Sequence, residues 1–368
     1  MTTVLRASDS AEFLGLVPAL AGFTPSQSLV LLPFHGSRAH GAMRLDLPRD
    51  DVSPEAYANA AIGLVEKVDG ADAVAIVVYS DEAPCRTTDG LVLPLIVQVE
   101  ELFGFAEDAG MRIVDALCVT PDGWSSYLED DPELAPLPPS DPLAGDQHAG
   151  AGLPSADLVE KERVGRALHD IGVMLDREAH SRLDGSENPQ AIAALVMLED
   201  IPEFFETLLD APEEQPPFAT AALLWCLDRP LLRDVALVQW ATCLDDGIRT
   251  LEVQYEFADT RSGFPDDLGA VFLGRGPSPD VDRLRHALTV ARLAAARAPR
   301  ALRPAPLTIA AWLSWALGHA THAEHYLELV REIDPVYGLA ELLGTMVGAG
   351  MLPEWAFRRG PGRSGRPT

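Results

Sequence analysis

Acidic side chains follow two apolar segments that are typical of buried strands. Asp81 and Glu82 come just after the run 71–79, and Asp122 follows the run 111–120. In open α/β sheets ligands bind beyond the carboxyl ends of parallel strands, so these three carboxylates are expected at one sheet edge. Carboxylate oxygens suit a hard ion such as Mg²⁺, which supports metal-assisted hydrolysis or phosphoryl transfer. Asp81, Glu82 and Asp122 are therefore candidate catalytic and metal-binding residues.

Two basic side chains extend this hypothesis. His35 ends the first predicted strand and could lie near the carboxylates, and Arg86 could hold an anionic substrate. The competing interpretation is structural, because acidic residues with Gly and Pro are ordinary turn formers at strand ends. Both interpretations stay open at this point.

Other residues capable of chemistry give weaker signals. His319, His322 and His325 are three apart, so on a helix they spread over about 120°, which is wide for one metal ion, although two of them could share one. Ser28 lacks a Gly-x-Ser-x-Gly elbow and is expected to be a turn or cap hydroxyl. The 4 cysteines include no Cys-x-x-Cys pair and are expected to be small buried hydrophobic side chains in a reducing compartment. No cofactor is predicted, except Mg²⁺ if the carboxylates bind one.

The elements that must position these residues alternate between helix and strand in the first part of the chain. The pattern predicts an α/β domain over 1–128, with a mixed sheet, an N-terminal hairpin and a right-handed strand-helix-strand unit. A cap at Ser8 or Asp9 and a stop at Gly22 bound the first helix. The remaining expected elements are a hairpin of 28–34 and 42–47, a helix 54–68, a central strand 71–79, a helix 90–109 capped by Asp89, a strand 111–120 and an edge strand 124–128.

The rest of the chain has a different composition. Residues 129–154 are acidic and rich in proline, which predicts a linker or mobile surface loop. Residues 155–357 have helical patterns punctuated by prolines at helix starts, which predicts an all-helical domain. Within it, 307–335 resembles one tetratricopeptide-like helix pair, too few for a solenoid. The arginine-rich, Gly/Pro-rich residues 358–368 are expected to form a disordered basic tail.

Charge and hydropathy exclude several partners. The chain has 28 basic and 56 acidic residues, a net charge of −28, which repels phosphate backbones and argues against nucleic acid. No apolar run reaches the roughly 18 residues of a membrane-spanning helix, and 307–317 comes nearest. The start of the chain lacks the features of a secretory signal, so we expect a cytoplasmic protein without membrane partners.

One stretch carries a family resemblance. Residues 17–30, Val-Pro-Ala-Leu-Ala-Gly-Phe-Thr-Pro-Ser-Gln-Ser-Leu-Val, are followed by Arg-Leu-Asp-Leu-Pro at 44–48. These blocks resemble those of an actinobacterial domain-of-unknown-function family, and further similarity lies at 79–82, 124–127 and 310–335. The resemblance implies an α/β domain with a helical extension in cytoplasmic proteins. It brings no established activity, so no catalytic residue is carried over from it.

Two functional hypotheses remain. The first is an interaction or regulatory module that binds a protein partner through the helical half. Trp225, Trp240, Trp312 and Trp315 could anchor such a partner, or they could simply pack in the core. The alternative is a metal-dependent hydrolase or nucleotide-binding enzyme that uses the strand-end carboxylates.

Overall fold

The computed structural model describes residues 7–88, 90–139, 145–178, 188–260 and 265–358. The chain divides into two compact units, with the boundary between Ala149 and Gly150. The first unit is a mixed α/β structure and the second is helical, which confirms the predicted fold class.

The α/β unit contains eight strands and three helices within the described residues. In chain order they are α1 (Ser10–Ala21), β1 (Ser28–His35), β2 (Arg38–Ala39), β3 (Met43–Asp46), α2 (Pro54–Val65), β4 (Ala73–Tyr79), β5 (Cys85–Thr87), β6 (Gly90–Val92), α3 (Ile96–Asp108), β7 (Arg112–Thr120) and β8 (Gly123–Ser126). The Asp9 carboxylate caps α1 by accepting from the Glu12 amide, and Gly22 ends that helix with φ at 83°.

β4 lies at the centre of a six-stranded sheet. The strand order is β2-β1-β4-β7-β8, and β3 also pairs with β1. β1 runs antiparallel to β4 and forms the expected hairpin with β3, while β2 occupies part of the predicted loop. β4 and β7 are parallel and are connected through α3. The edge strand β8 is antiparallel to β7.

The sheet separates two apolar layers. Val74, Ile76 and Val78 of β4 face α2 and α3. The alternate β4 residues, including Val77 and Tyr79, face α1. Every β4 residue is buried, as expected for a strand covered on both faces.

The segment that leads into α3 differs from the prediction. The expected helix over 90–109 begins only at Ile96, because β5 and β6 form a small antiparallel hairpin first. Pro94 explains the late start, since a proline disfavours helical backbone in the residue before it. Leu95 then takes a left-handed conformation, with φ at 58°. The predicted cap, Asp89, lies outside the described residues.

Part of the acidic segment 129–154 is integrated into the α/β unit. Ala135 exchanges two backbone hydrogen bonds with Trp124, of 2.9 and 2.8 Å. The Thr24 amide donates to the Gly145 carbonyl at 2.7 Å. The division between Ala149 and Gly150 falls within the predicted linker or loop, 129–154, and these backbone hydrogen bonds attach part of that segment to the α/β unit.

The helical unit contains eleven α-helices in the part of the chain that the structure describes. They are α4 (Leu158–Glu178), α5 (Pro189–Met197), α6 (Ile201–Thr207), α7 (Pro217–Leu227), α8 (Pro230–Ala241), α9 (Leu244–Thr260), α10 (Asp266–Phe272), α11 (Val281–Arg297), α12 (Pro304–Ala316), α13 (Ala320–Arg331) and α14 (Gly338–Gly348). Two 3₁₀ turns, Arg300–Leu302 and Glu354–Phe357, complete the unit.

α12 is the central helix of this unit. All of its residues are buried, which a helix that is apolar on every side requires. It packs against α13, and the two form the predicted helix pair near 307–335. Among the described residues, no helix has both the length and the apolar character needed to cross a membrane. Of the predicted basic tail, all but Arg358 lies outside the described residues.

Candidate functional site

The carboxyl ends of β4 and β7 bring the predicted acidic residues to one edge of the sheet. Tyr79 and Val119 are partners in the parallel pairing, and the Ser80 amide donates to the Val119 carbonyl at 2.9 Å. Asp81 follows β4 and Asp122 follows β7, so strand topology places both where the sequence predicted.

Sharing an edge does not make these carboxylates a metal site. Asp81, Glu82 and Asp122 are all exposed. Within the described residues, no group of three or more His, Cys, Asp and Glu side chains is arranged to hold a metal ion. The Glu82 amide instead donates to Ser80 Oγ at 3.1 Å, an interaction typical of a turn. Asp81, Glu82 and Asp122 therefore do not converge into a metal-binding group among the described residues.

His35 lies at the opposite edge of the sheet, which corrects the prediction that it joins the carboxylates. β1 is antiparallel to β4, so the end of β1 pairs with the beginning of β4. His35 Nδ1 is 2.6 Å from the Gly70 carbonyl and 3.8 Å from Asp72. The pKa of Asp72 is lowered mainly because its carboxylate accepts a hydrogen bond from the Gly36 amide. Arg86 lies in β5 and is exposed.

A buried polar network occupies the carboxylate edge on the side of the sheet that faces α1. Ser28 is fully buried, and its hydroxyl donates to the Ser26 carbonyl at 2.6 Å. It also accepts from Arg44 Nε at 2.8 Å, and Arg44 forms an ion pair with Asp46. The hydroxyl faces a cation and a carbonyl rather than a base, so it lacks the activation that a nucleophile needs. The network joins the two sequence blocks that carry the family resemblance.

Gln147 extends this network from the acidic segment. Its Oε1 accepts from both the amide and the hydroxyl of Ser26 at 3.1 Å, and its Nε2 donates to the Ser26 carbonyl at 3.2 Å. The neighbouring Gln27 has φ at 44°, a conformation that costs energy in a residue with a side chain. Its Oε1 accepts from the Asp81 amide at 3.3 Å. Many of the polar groups at this edge therefore hydrogen-bond to the backbone of neighbouring loops and hold those loops in place.

The tryptophans of the helical unit serve mainly as core. Trp240, Trp312 and Trp315 are at most 2% exposed. Their indole N–H groups donate to carbonyls of Phe205, Phe272 and Met351 respectively. These three side chains are unable to anchor a partner, so of the two interpretations core packing is correct for them. Trp225 is half-buried, and the Arg229 guanidinium lies 3.7 Å from its ring centroid.

The histidines of 319–325 are close to one another without forming a ligand set. The rings of His319 and His322 meet edge to face at 5.3 Å, whereas His325 packs beside Tyr326 at 5.6 Å. Burial, and then the positive charge of Arg285, lower the pKa of His319. The neutral ring is therefore favoured, but the described residues place no third ligand beside the pair.

A cleft of about 600 Å³ opens between α4 and the beginnings of α5 and α7. α4 contributes Val159, Arg163 and Arg166, which are spaced i, i+4 and i+7 and so share one face of the helix. Val159 is 54% exposed. Arg166 forms an exposed ion pair of 2.6 Å with Glu162, while Arg163 has no ion pair among the described residues.

The opposite wall of the cleft is mainly apolar. It consists of Pro216, Pro217 and Phe218 at the start of α7, beside Asn188 and Gln190 at the start of α5. Asn188 caps α5 through its Oδ1, which accepts from the Gln190 amide at 3.0 Å. The cleft therefore combines an apolar wall with a basic rim.

Sequence reasoning missed this cleft, although a signal was present. The spacing of Val159, Arg163 and Arg166 places one apolar and two basic side chains on the same face of a predicted helix. The Pro216–Phe218 stretch indicates a helix start that carries an aromatic residue. Nothing in the sequence indicates that these two features face each other, because they come together only through helix packing.

One comparison with known proteins gives a match. A family model described as a domain of unknown function (DUF4192) matches residues 11–252 and 280–354, which covers most of the chain and reaches into both units. The chain belongs to this family. The family description assigns no activity. No curated protein and no solved structure matches the chain.

Proposed function

We propose that this member of the DUF4192 family is an interaction module, and that the cleft between α4, α5 and α7 binds a segment of a partner protein. The observation that carries the proposal is the cleft itself, with its apolar wall at Phe218 opposite the exposed Val159. Grooves of this kind, formed between helices, are a common way to recognise peptide segments.

The surface beside the cleft supports the same conclusion. Leu158 is 83% exposed and Val159 is 54% exposed, so two adjacent large apolar side chains face solvent at the start of α4. Exposed apolar surface rimmed by polar groups is typical of interaction sites. The strand-end carboxylates, by contrast, are exposed and form no metal-binding group among the described residues, so the cleft supports partner binding better than the carboxylates support metal chemistry.

The test is site-specific photo-crosslinking in cells, with the full chain and a photoreactive residue at position 159. The matched control carries the same residue at position 281. Val281 is 48% exposed and begins α11, outside the cleft. We expect a protein that crosslinks at 159 and not at 281. That protein is then purified and its affinity for the full chain is measured.

Two substitutions decide whether the cleft is the binding surface. Val159→Glu places a carboxylate in the cleft, and Val281→Glu places one at the matched position. Both lie in first helical turns, where a negative charge is compatible with the helix dipole. We expect Val159→Glu alone to weaken binding at least tenfold. Equal affinities for the two variants, or no crosslink specific to 159, contradict the proposal.

A metal-dependent hydrolase or nucleotide-binding enzyme is the second proposal, and it rests on the shared edge of Asp81 and Asp122. Its test is thermal unfolding with Mg²⁺ or Mn²⁺, with and without nucleotide. An ion at 100 times its dissociation constant adds about 2.7 kcal/mol of stability. A stabilisation that Asp81→Asn and Asp122→Asn together abolish supports the enzyme, and a flat response contradicts it.

A further inference from the structure

We infer that the segment bound in the cleft is acidic and carries at least one bulky aliphatic side chain. This inference rests on the proposed function, because it names the chemistry of the partner at the same cleft. It is carried by the charge of the rim and by the apolar wall opposite, which together select a carboxylate beside a hydrocarbon group.

The charge of the rim is opposite to that of the protein. The lining includes two arginines, Arg163 and Arg166, and one acidic residue, Glu162, on a chain with a net charge of −28. Guanidinium groups bind carboxylates through paired, charge-assisted hydrogen bonds. Arg163 has no ion pair within the described residues, so a carboxylate of the partner would not have to displace one there.

Arg166 can also change partner at small cost. Its side chain and that of Glu162 are each 67% exposed, and the two are spaced i, i+4 on α4. Ion pairs this exposed contribute little to stability, so exchange of Glu162 for a carboxylate of the partner is nearly neutral for the fold. Both arginines are thus able to bind an acidic segment.

The other wall specifies an apolar group. Val159 on one side and the Pro216–Phe218 stretch on the other present hydrocarbon surface to the same space. The ring of Phe218 and the two prolines have few conformations to lose, so an aliphatic side chain is buried there with little ordering cost. A purely polar acidic segment leaves this surface uncovered and is expected to bind more weakly.

The helix starts at the cleft add a small positive electrostatic potential to that of the arginines. α5 and α7 both begin at the cleft, and Pro216, at the N-cap position of α7, makes no side-chain capping hydrogen bond. The partial positive charge at a helix start favours a nearby carboxylate.

The experiment is fluorescence anisotropy with the full chain and three labelled nonapeptides. The first contains Asp, Glu and Leu, the second replaces the acids by Asn and Gln, and the third replaces Leu by Ser. We expect the first peptide to bind at least tenfold more tightly than either of the others. Arg163→Gln with Arg166→Gln is expected to remove at least tenfold of that affinity.

The matched control is Arg249→Gln with Arg285→Gln. Both arginines are exposed and form ion pairs, with Asp267 and Asp282, outside the cleft. This variant has the same net charge as the cleft variant. An effect of overall charge would therefore weaken peptide binding in both variants, whereas an effect of the cleft would weaken it only in the cleft variant. If the cleft variant fails to fold, Val159→Glu replaces it, and repulsion of the acidic peptide is expected.

Several outcomes overturn the inference. They are equal binding of the neutral peptide, equal affinity in the cleft and control variants, and a concentration-dependent dimer that the cleft substitutions abolish, which would make a second copy the occupant. If a crosslinked partner depends on Val159 while the acidic peptide does not bind, the proposed function stands and the inference fails. If neither depends on the cleft, both fail.

Discussion

The two units of this protein solve one problem, the burial of polar groups, in different ways. Two buried hydroxyls of the α/β unit bond to backbone only two or three residues away. Thr120 Oγ1 donates to the Gly123 carbonyl at 3.0 Å, and Ser28 Oγ donates to Ser26. In the helical unit long arginine side chains join helices that are distant in sequence, as Arg297 joins α11 to α4 through Glu160 at 2.9 Å.

The difference follows from how each element satisfies its own backbone. Strands pair with neighbouring strands, whereas a helix leaves its last four carbonyls without partners. In the helical unit arginines bond to such carbonyls: Arg283 to Gln239 near the end of α8, Arg300 to Glu332 after α13, and Arg303 to Ala298 after α11. Positive charge at helix C-termini is also favoured by the dipole. We therefore expect the helical unit to depend on charge and the α/β unit on backbone geometry.

Arg297→Ala is expected to have the largest effect. The side chain is 10% exposed, and it binds the Gln215 carbonyl, Thr220 and Glu160. Its removal leaves a carbonyl and a partly buried carboxylate without their partner, so we expect a loss of about 3 to 5 kcal/mol. The measurement is urea unfolding followed by tryptophan fluorescence, since five of the 6 tryptophans lie in the helical unit.

Arg297→Lys and Glu160→Gln complete this test. The lysine keeps the charge but lacks the forked donors, so it is expected to recover only part of the stability. A double-mutant cycle isolates the pair with Glu160. A loss below about 1 kcal/mol for Arg297→Ala would show that the arginine is not a major support of the unit.

Gly123→Ala tests the geometry of the α/β unit. Gly123 has φ at 145°, and an added Cβ would lie 2.5 Å from the Ala135 carbonyl oxygen. We expect a loss of about 2 to 3 kcal/mol in thermal unfolding, because strained backbone and a clash with backbone combine. Gly110→Ala is the matched control, with φ at 70° and no neighbour within 4 Å. Equal losses for the two variants would mean that conformation alone matters and the close approach does not.

The pH dependence of the helical unit tests its reliance on charge. The pKa of Glu206 is lowered from its usual 4.5 mainly because its carboxylate accepts hydrogen bonds from Arg283. A lowered folded pKa gives stability that is present above pH 4.5 and is lost as the pH falls through the folded value. We expect unfolding of the helical unit to become easier over that window.

Glu206→Gln should flatten this pH response and cost about 1.5 to 3 kcal/mol at pH 7, the range for hydrogen bonds to a charged group. Glu162→Gln, at an exposed pair, is the control and should leave the response intact. An unchanged pH profile in Glu206→Gln would assign the acid sensitivity to other carboxylates.

Gln147→Ala is expected to have the smallest effect. Gln147 is 8% exposed, and its replacement removes the hydrogen bonds between its side chain and Ser26. We expect the free energy of unfolding to fall by about 1 kcal/mol. Hydrogen exchange at the Ser26 and Thr24 amides should speed up, because both are held by the segment that contains Gln147. His148→Ala, at the exposed neighbouring residue, should leave both amides protected. Acceleration in His148→Ala as well would contradict a specific role for Gln147.

The candidate sites show how far sequence reasoning reaches. Asp81 and Asp122 were correctly placed at one edge, because each follows an apolar strand and the two strands are joined through a helix. His35 was misplaced, because the direction of β1 relative to β4 is set by pairing across the sheet rather than by local sequence. The start of α3 was also misplaced, since Pro94 and the small β5–β6 hairpin override the helical pattern.

Local sequence determined the elements of this protein. Caps such as Asp9 and Ser53, and prolines such as Pro230, fix where helices begin, and continuous apolar runs fix the buried strands, since these signals act within a few residues. Tertiary structure decided what the elements form together. Whether the carboxylates converge, which tryptophans remain accessible and where Phe218 meets α4 depend on packing between residues far apart in the chain, which no local pattern specifies.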